Sequence, residues 1–486
     1  MNTISAIIST FSSEDKREFI NYLKKKNRRG DAKNITLFKL IDQGRTTNLD
    51  VKIYGKPARN SYHALCKRLQ DSLIAFVAEK SFMGETSEEM QVMKLLLAGR
   101  IFFEHKQTKI AFRTLEKAEK KALENDLYSI LGEIYQTKIQ YAHLHPNIKY
   151  EDIRDAAIHN QELQHRELRL NMAYATIKDQ LSKRNAVIET IIDETFQAHG
   201  IAIDDNLTFK SLFQLLQILS TSAQLRSDYS SVTPQVNRIS IIVNRKKKQA
   251  GKHLYYHIQI LKLMAVISFR NKDFTRAKDF IQMMELEMTR HERKYYRRFA
   301  PDLVLLKALN LNFTAYPTEA IAMLKAFPNP FPELQLVLIM CLFQQHEFKE
   351  ARRQLQKLNH SDLFYEKKEG IIWVIQRNII ELLVLIELDQ LDLVLSRINS
   401  IRKKLVPKLR RLKEDRAINF LKLVGLYYND PSLVRTLQFR EKVEESFEWK
   451  DAKKEDIFVM SFYAWLKAKM EDRPIYEVTL ELVSLK

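Results

Sequence analysis

From about residue 90 onward, apolar positions recur along this chain at three- and four-residue intervals, the spacing of amphipathic helices. The interruptions are short and polar. FQQHEFKEARRQLQKL (343–358) shows the recurring form: a dip, QQHE, then Phe348, Ala351 three positions on, and Leu355 four beyond that. NKDFTRAKDFI (271–281) repeats it with Phe274, Ala277 and Ile281. Closely packed antiparallel helices need a small residue where their backbones approach and larger apolar ones a turn away to fill the flanks. The order therefore predicts stacked helix pairs.

Further copies carry the same order. LLLAGRIFFEHKQTKIAFRTLEKAEKKAL (95–123) supplies Gly99, Phe102, Ala111, Leu115 and Ala118, and ALNLNFTAYPTEAIAMLKAFP (308–328) supplies Ala308, Leu311, Ala320 and Leu324. LMAVISFRNKDFTRAKDFIQMM (263–284) adds Ala265, and LDLVLSRI adds Leu391, Val394 and Ile398. These positions resemble the tetratricopeptide repeat, which is small at position 8, large at 11 and 17, alanine at 20, large at 24 and small at 27. The departures are an irregular spacing and Thr108 or Pro317 where an aromatic belongs. The resemblance spans roughly 90–130 and 260–430, and implies an α-solenoid whose surface binds another protein.

Residues 1–80 read as a separate module. SSEDKREFINYLKKKNRR opens on serines and acids and ends on bases, the charge order a helix dipole favours. Helices are expected over ITLFKLI (35–41) and 60–80, with a loop or short extended piece in GRTTNLDVKIYGKPARN (44–60). This block resembles helical proteins of Bacteroidetes, which implies nothing about function. Long helices are expected over 150–199, ended by Gly200, and another after an Asp/Asn cap in DDNL (204–207). RSDYSSVTPQVN (226–237) is the most loop-like stretch and reads as a hinge.

The fold class predicted is all-α: a basic N-terminal helical module (1–83), a helical repeat region with long helices (84–255) and an irregular tetratricopeptide-like α-solenoid (256–486). Composition agrees, since 10 Gly and 11 Pro in 486 residues leave little for hairpins and phosphate loops. Cys66 and Cys341 form no framework or metal motif. MNTISAIISTFSSEDK lacks the basic lead and cleavage site of a signal peptide, and no window is apolar enough to span a bilayer, so a cytoplasmic setting is expected.

Charge changes the picture more. The formal net charge is +19, and it is concentrated in 1–80, 238–253, 293–298 and 402–416, which leave the rest slightly acidic. Such concentration favours an acidic partner: a protein, RNA, DNA, a ribosomal surface or an anionic membrane face. The candidate contact residues are Lys24, Lys25, Lys26, Arg28, Arg29, Arg245, Lys246, Lys247, Lys248, Arg297, Arg298, Arg410 and Arg411. RKYYRRF (293–299) interleaves Tyr295 and Tyr296 with cations, a pattern suited to stacking on single strands, although tyrosines in helical repeats more often pack in the core. Pro407 marks a helix start inside the last basic run.

No dinucleotide fingerprint, phosphate loop or nucleophile elbow occurs, and the Gly-Lys of YGKPAR stands alone. His143, His145, His159 and His165 are not spaced to share one helix face. The expectation is a non-enzymatic scaffold or adaptor without a cofactor, with a nucleic-acid- or ribosome-binding protein as the rival.

Overall fold

The computed structural model describes every residue except 1, 12, 27–32, 46, 85–87, 145–148, 184–187, 205–206, 227, 249, 329, 413–414, 447–456 and 485–486. Among the described residues every regular element is helical, as expected, and no helix is long and apolar enough to cross a bilayer. The chain packs as two units, residues 1–162 and 163–486.

In the first unit, α1 (Asn2–Ser9), α2 (Ser13–Lys26), α3 (Lys33–Asp42), α4 (Leu49–Tyr54) and α5 (Arg59–Gly84) enclose a core that includes Phe19, Leu23, Phe38, Leu69 and Leu73. The 44–60 stretch is helical at its centre, not a loop. Asn48 and Gly55 sit at φ +52° and +71° and bound α4, while buried Leu49 anchors it. A second core joins α6 (Glu88–Glu104), α7 (Thr108–Glu124), α8 (Tyr128–Tyr141) and the start of α9 (Tyr150–Lys183), a helix inside which the division between units falls. Gly99 is essential to the α6–α7 contact: a Cβ there would lie 2.7 Å from Leu115 Cδ2.

The second unit begins with the rest of α9, then α10 (Ile188–Ala198), α11 (Phe209–Arg226) and α12 (Thr233–Arg245). The cap of α11 is Thr208, whose hydroxyl accepts from the Ser211 amide at 3.1 Å, while Asp205 and Asn206 of the expected cap lie outside the described residues. The expected hinge at 226–237 is also ordered in its described residues. Asp228 accepts from Ser230 and Ser231 amides in a side-chain turn, Tyr229 and Val232 are buried, and Pro234 lies in the first turn of α12.

Helix pairs follow. They are α13 (Leu254–Arg270) with α14 (Phe274–Met288), a four-residue turn α15 (Arg290–Arg293), α16 (Tyr296–Phe313) with α17 (Pro317–Ala326), and α18 (Pro332–Gln344) with α19 (Phe348–Lys357). After α20 (Asp362–Glu369) comes α21 (Ile371–Glu387) with α22 (Leu391–Lys404). The chain then runs through α23 (Val406–Leu412), α24 (Asp415–Asn429) and α25 (Leu437–Ser446) to a last pair, α26 (Ile457–Glu471) and α27 (Ile475–Ser484).

The polar dips are the turns inside these pairs, each three residues long with the middle one left-handed: Lys272 (φ +62°), Ala315 (+69°), His346 (+60°) and Asp389 (+51°). The residue after it donates its amide back across the turn, as Glu347 does to Leu342 at 2.9 Å and Asp273 to Ser268 at 3.0 Å. That residue's carbonyl then accepts from the amide of the alanine four positions on: Asp273 from Ala277 and Glu347 from Ala351, both at 2.9 Å. Phe348 thus opens the helix, Ala351 lies against the partner and Leu355 fills the next turn. Ala111, Ala277, Ala320, Ala351 and Val394 are all fully buried.

Two properties characterise this array. Because each pair is antiparallel, the tight turns lie along one edge, and the longer connections at 246–253, 289–295, 327–331 and 358–370 lie along the other. Successive first helices (α13, α16, α18, α21) also pack side by side more closely than the second helices do.

A candidate cationic interface

Two of the basic stretches meet on the edge that carries the longer connections. After α12 the backbone turns through 246–253, pinned by buried Ala250. One connection further on, α14 ends and the chain passes through α15, where His291, Glu292 and Arg293 take φ +47°, +55° and +62°. Left-handed geometry costs about 1–2 kcal/mol per non-glycine residue, so this turn is held by its surroundings. One tie is visible: His291 Nε2 donates to the Gly251 carbonyl at 3.1 Å. A second joins Arg298 to the Tyr255 hydroxyl at 3.1 Å, with the guanidinium 4.8 Å above that ring.

Arg245, Lys247, Lys248, Lys252, Arg290, Arg293, Lys294, Arg297 and Arg298 are exposed on this edge, with Glu292 among them. Lys246 has a different task. It is half-buried, and its ammonium donates to the Leu207 carbonyl at 2.6 Å beside the Phe209 ring. Arg290, Arg293 and Lys294 belong to the patch although Arg290 lay outside the basic windows of the sequence. The His291–Gly251 bond, 40 positions apart, is one of the ties that bring them alongside 246–252.

Beneath the patch lies a buried pair, Glu287 and His257, with Oε2 and Nδ1 3.6 Å apart. Burial works to raise the Glu287 pKa, but His257, Arg290 and Lys247 together overcome it and hold the carboxyl below its ordinary value. Arg290 reaches Glu287 Oε1 at 3.3 Å. The carboxylate thus tethers one end of the α15 turn.

The tyrosines do not splay outward. Tyr255, Tyr256, Tyr295 and Phe299 form one aromatic cluster with centroid separations of 5.2 to 6.5 Å, which packs on the core of the unit. Their outer faces carry cations: Arg293 stands 4.9 Å over Tyr296, and Lys294 stands 5.2 Å over Tyr295. Rings so used position charges, and a base stacking on those faces would have to displace the cation.

The other candidate cations stand elsewhere. Lys24, Lys25 and Lys26 are exposed in the last turn of α2, in the first unit, and Arg28 and Arg29 lie outside the described residues. Arg410 and Arg411 are exposed on α23, beyond the fourth pair. Among the described residues no group of three or more His, Cys, Asp or Glu side chains is arranged to hold a metal ion. No protein-family model matches the chain, and no curated protein or solved structure is significantly similar to it.

Proposed function

We propose that this protein is a non-enzymatic scaffold that docks an acidic segment of a partner protein on the cationic edge formed by residues 245–252 and 290–298. The observation that carries the reading is the bond from His291 to the Gly251 carbonyl, which makes two separate basic turns one surface. The charges there ride on two fixed turns and on aromatic faces, an arrangement suited to meeting several carboxylates at once. The occupied tyrosine faces weigh against base stacking, so the nucleic-acid reading rests on phosphate contacts alone.

The test is fluorescence anisotropy with the full chain, a labelled polyglutamate peptide and a labelled single-stranded RNA, from about 50 to 200 mM salt. The wild type is expected to bind the peptide. A variant carrying Lys248→Glu, Lys252→Glu and Arg297→Glu is expected to bind it at least tenfold more weakly with an unchanged melting curve. RNA binding with a steep salt dependence, alongside indifference to the peptide, would replace this reading with the nucleic-acid one.

A further inference from the structure

Further along the edge of longer connections, the short helix α20 stands out by what it turns toward solvent. Its inner side is held down. Tyr365 is buried against Trp373, with ring centroids 4.7 Å apart, and Asp362 accepts from Arg377 at 2.8 Å. Gly370, at φ +93°, then turns the chain sharply into α21. Helical spacing puts Leu363 and Lys367 together on the side opposite Tyr365, and Phe364 and Lys368 together on one flank. Leu363 is 65% exposed and Phe364 41%, yet the Phe364 ring is fixed, stacked on His360 at 4.2 Å and covered by Lys368 at 5.9 Å.

The last basic run of the chain meets the other flank. Lys408 of α23 pairs with Glu366, and buried Leu405 and Leu409 seat α23 on the core, leaving Arg410 and Arg411 exposed. Each carboxylate of α20 is engaged by a base: Asp362 by Arg377, Glu366 by Lys408, and Glu369 by Lys368 at 4.0 Å. The positive surplus of the two helices rests on Lys367, Arg410 and Arg411. Exposed bases in the last turn of α22 lead directly into it.

Two large apolar side chains thus project beside a cluster of cations. Peptide and helix partners are usually gripped in grooves or along sheet edges, and side chains this exposed form neither. Nucleic acid would use the cations but leave Leu363 in water. A bilayer interface uses both, since apolar groups bury at the headgroup boundary while cations meet anionic headgroups.

We propose that α20 is the point at which this protein rests on an anionic lipid bilayer, with Leu363 and Phe364 entering the headgroup boundary and Lys367, Arg410 and Arg411 meeting the headgroups. The contact uses none of the residues of the edge at 245–252 and 290–298, so the two readings stand or fall separately.

The experiment is co-sedimentation of the full chain with vesicles of phosphatidylcholine alone or with about one-third phosphatidylglycerol, at about 150 mM salt. A chain of net charge +19 is drawn to any anionic surface, so the variants carry the test. Leu363→Ala with Phe364→Ala, which leaves the charge unchanged, is expected to weaken binding to the anionic vesicles at least tenfold. Lys367→Glu with Arg411→Glu is expected to do the same, whereas Lys24→Glu with Lys25→Glu, an equal change of charge on α2, is expected to have a much smaller effect. Leu363→Trp, at an exposed position, is expected to gain fluorescence quenching by brominated acyl chains over the wild type, which decides independently of how the alanine variant folds. Binding by the alanine variant equal to that of the wild type, or no added quenching, reduces the contact to general attraction and overturns the proposal. Loss of polyglutamate binding in the Lys367→Glu, Arg411→Glu variant with vesicle binding unchanged makes the patch a site for an acidic protein, and overturns it as well.

Discussion

Gly99→Ala tests the close approach of helix pairs where the physics sets two terms against each other. In a helix interior, alanine is favoured over glycine by about 0.8–1 kcal/mol, so an exposed Gly99 would be stabilised by the change. Here the added carbon would stand 2.7 Å from Leu115 Cδ2 and 3.0 Å from Cγ. Leu115 is fully buried in one core with Leu96, Phe112 and Ala118, so its side chain must shift against packed neighbours. Overpacking of this kind costs about 1–3 kcal/mol. The expected net effect is a destabilisation of up to about 2 kcal/mol, the difference between the overpacking and propensity terms. The background decides the sign. With Leu115→Ala already present, the clash is gone and Gly99→Ala is expected to stabilise by about 1 kcal/mol. The readout is hydrogen exchange of the α6 and α7 amides. Tryptophan fluorescence serves as a control, because all three tryptophans lie beyond residue 162 and report on the other unit. A single Gly99→Ala change that raises protection in both backgrounds would refute the close-packing argument.

Ala277→Leu and Ala320→Leu, at fully buried positions against the partner helix, should each lower stability by about 1–3 kcal/mol in urea titrations. Ala315→Gly and His346→Gly should each raise it by about 0.5–1 kcal/mol in thermal melts, because the left-handed penalty relieved slightly exceeds the extra freedom given to the unfolded chain. Lys246→Met should lower the melting temperature by freeing the Leu207 carbonyl, whereas Lys248→Glu should leave it unchanged. The Glu287 carboxyl is depressed in the folded state, so its stabilising contribution is full above its unfolded value near 4.5 and is lost as pH falls through the depressed one. Urea midpoints of wild type and Glu287→Gln should therefore converge as the medium is acidified, and a gap that stays constant would show that the charge is not involved.

Much of this architecture was legible because packing leaves a local mark. Ala277, Ala320 and Ala351 are small where helix axes approach, and Phe274 and Phe348 are large one turn earlier, so the pair could be read without tertiary information. The turn residues were not legible in the same way. Lys272, His346 and Asp389 adopt a conformation usually associated with glycine, and only the backbone bonds that close the turn reveal it. The irregular spacing has a structural cause as well. The 43-residue steps from Ala277 to Ala320 and from Ala351 to Val394 contain α15 and α20, both on the edge of longer connections. Composition misled at 226–237, where Ser, Asp and Pro read as a hinge but build a side-chain turn and a helix start. The cationic patch was legible only as separate charge runs, because the contacts that unite them join residues distant in sequence, such as His291 with Gly251 and Arg298 with Tyr255.

The two edges of the array also differ in what they allow the chain to become. On one edge, three-residue turns fix both the spacing and the phase of the helices they join, and a residue added there would rotate the buried alanine out of its contact. On the other edge, connections as unlike as 327–331 and 358–370 join equivalent helices, so length there is free to vary. Insertions and tags are therefore expected to be tolerated in connections such as 327–331 and 358–370. The stacking scaffold and its rim can therefore change at independent rates, since a connection on that edge can be altered while the helix pairs it joins keep their contacts.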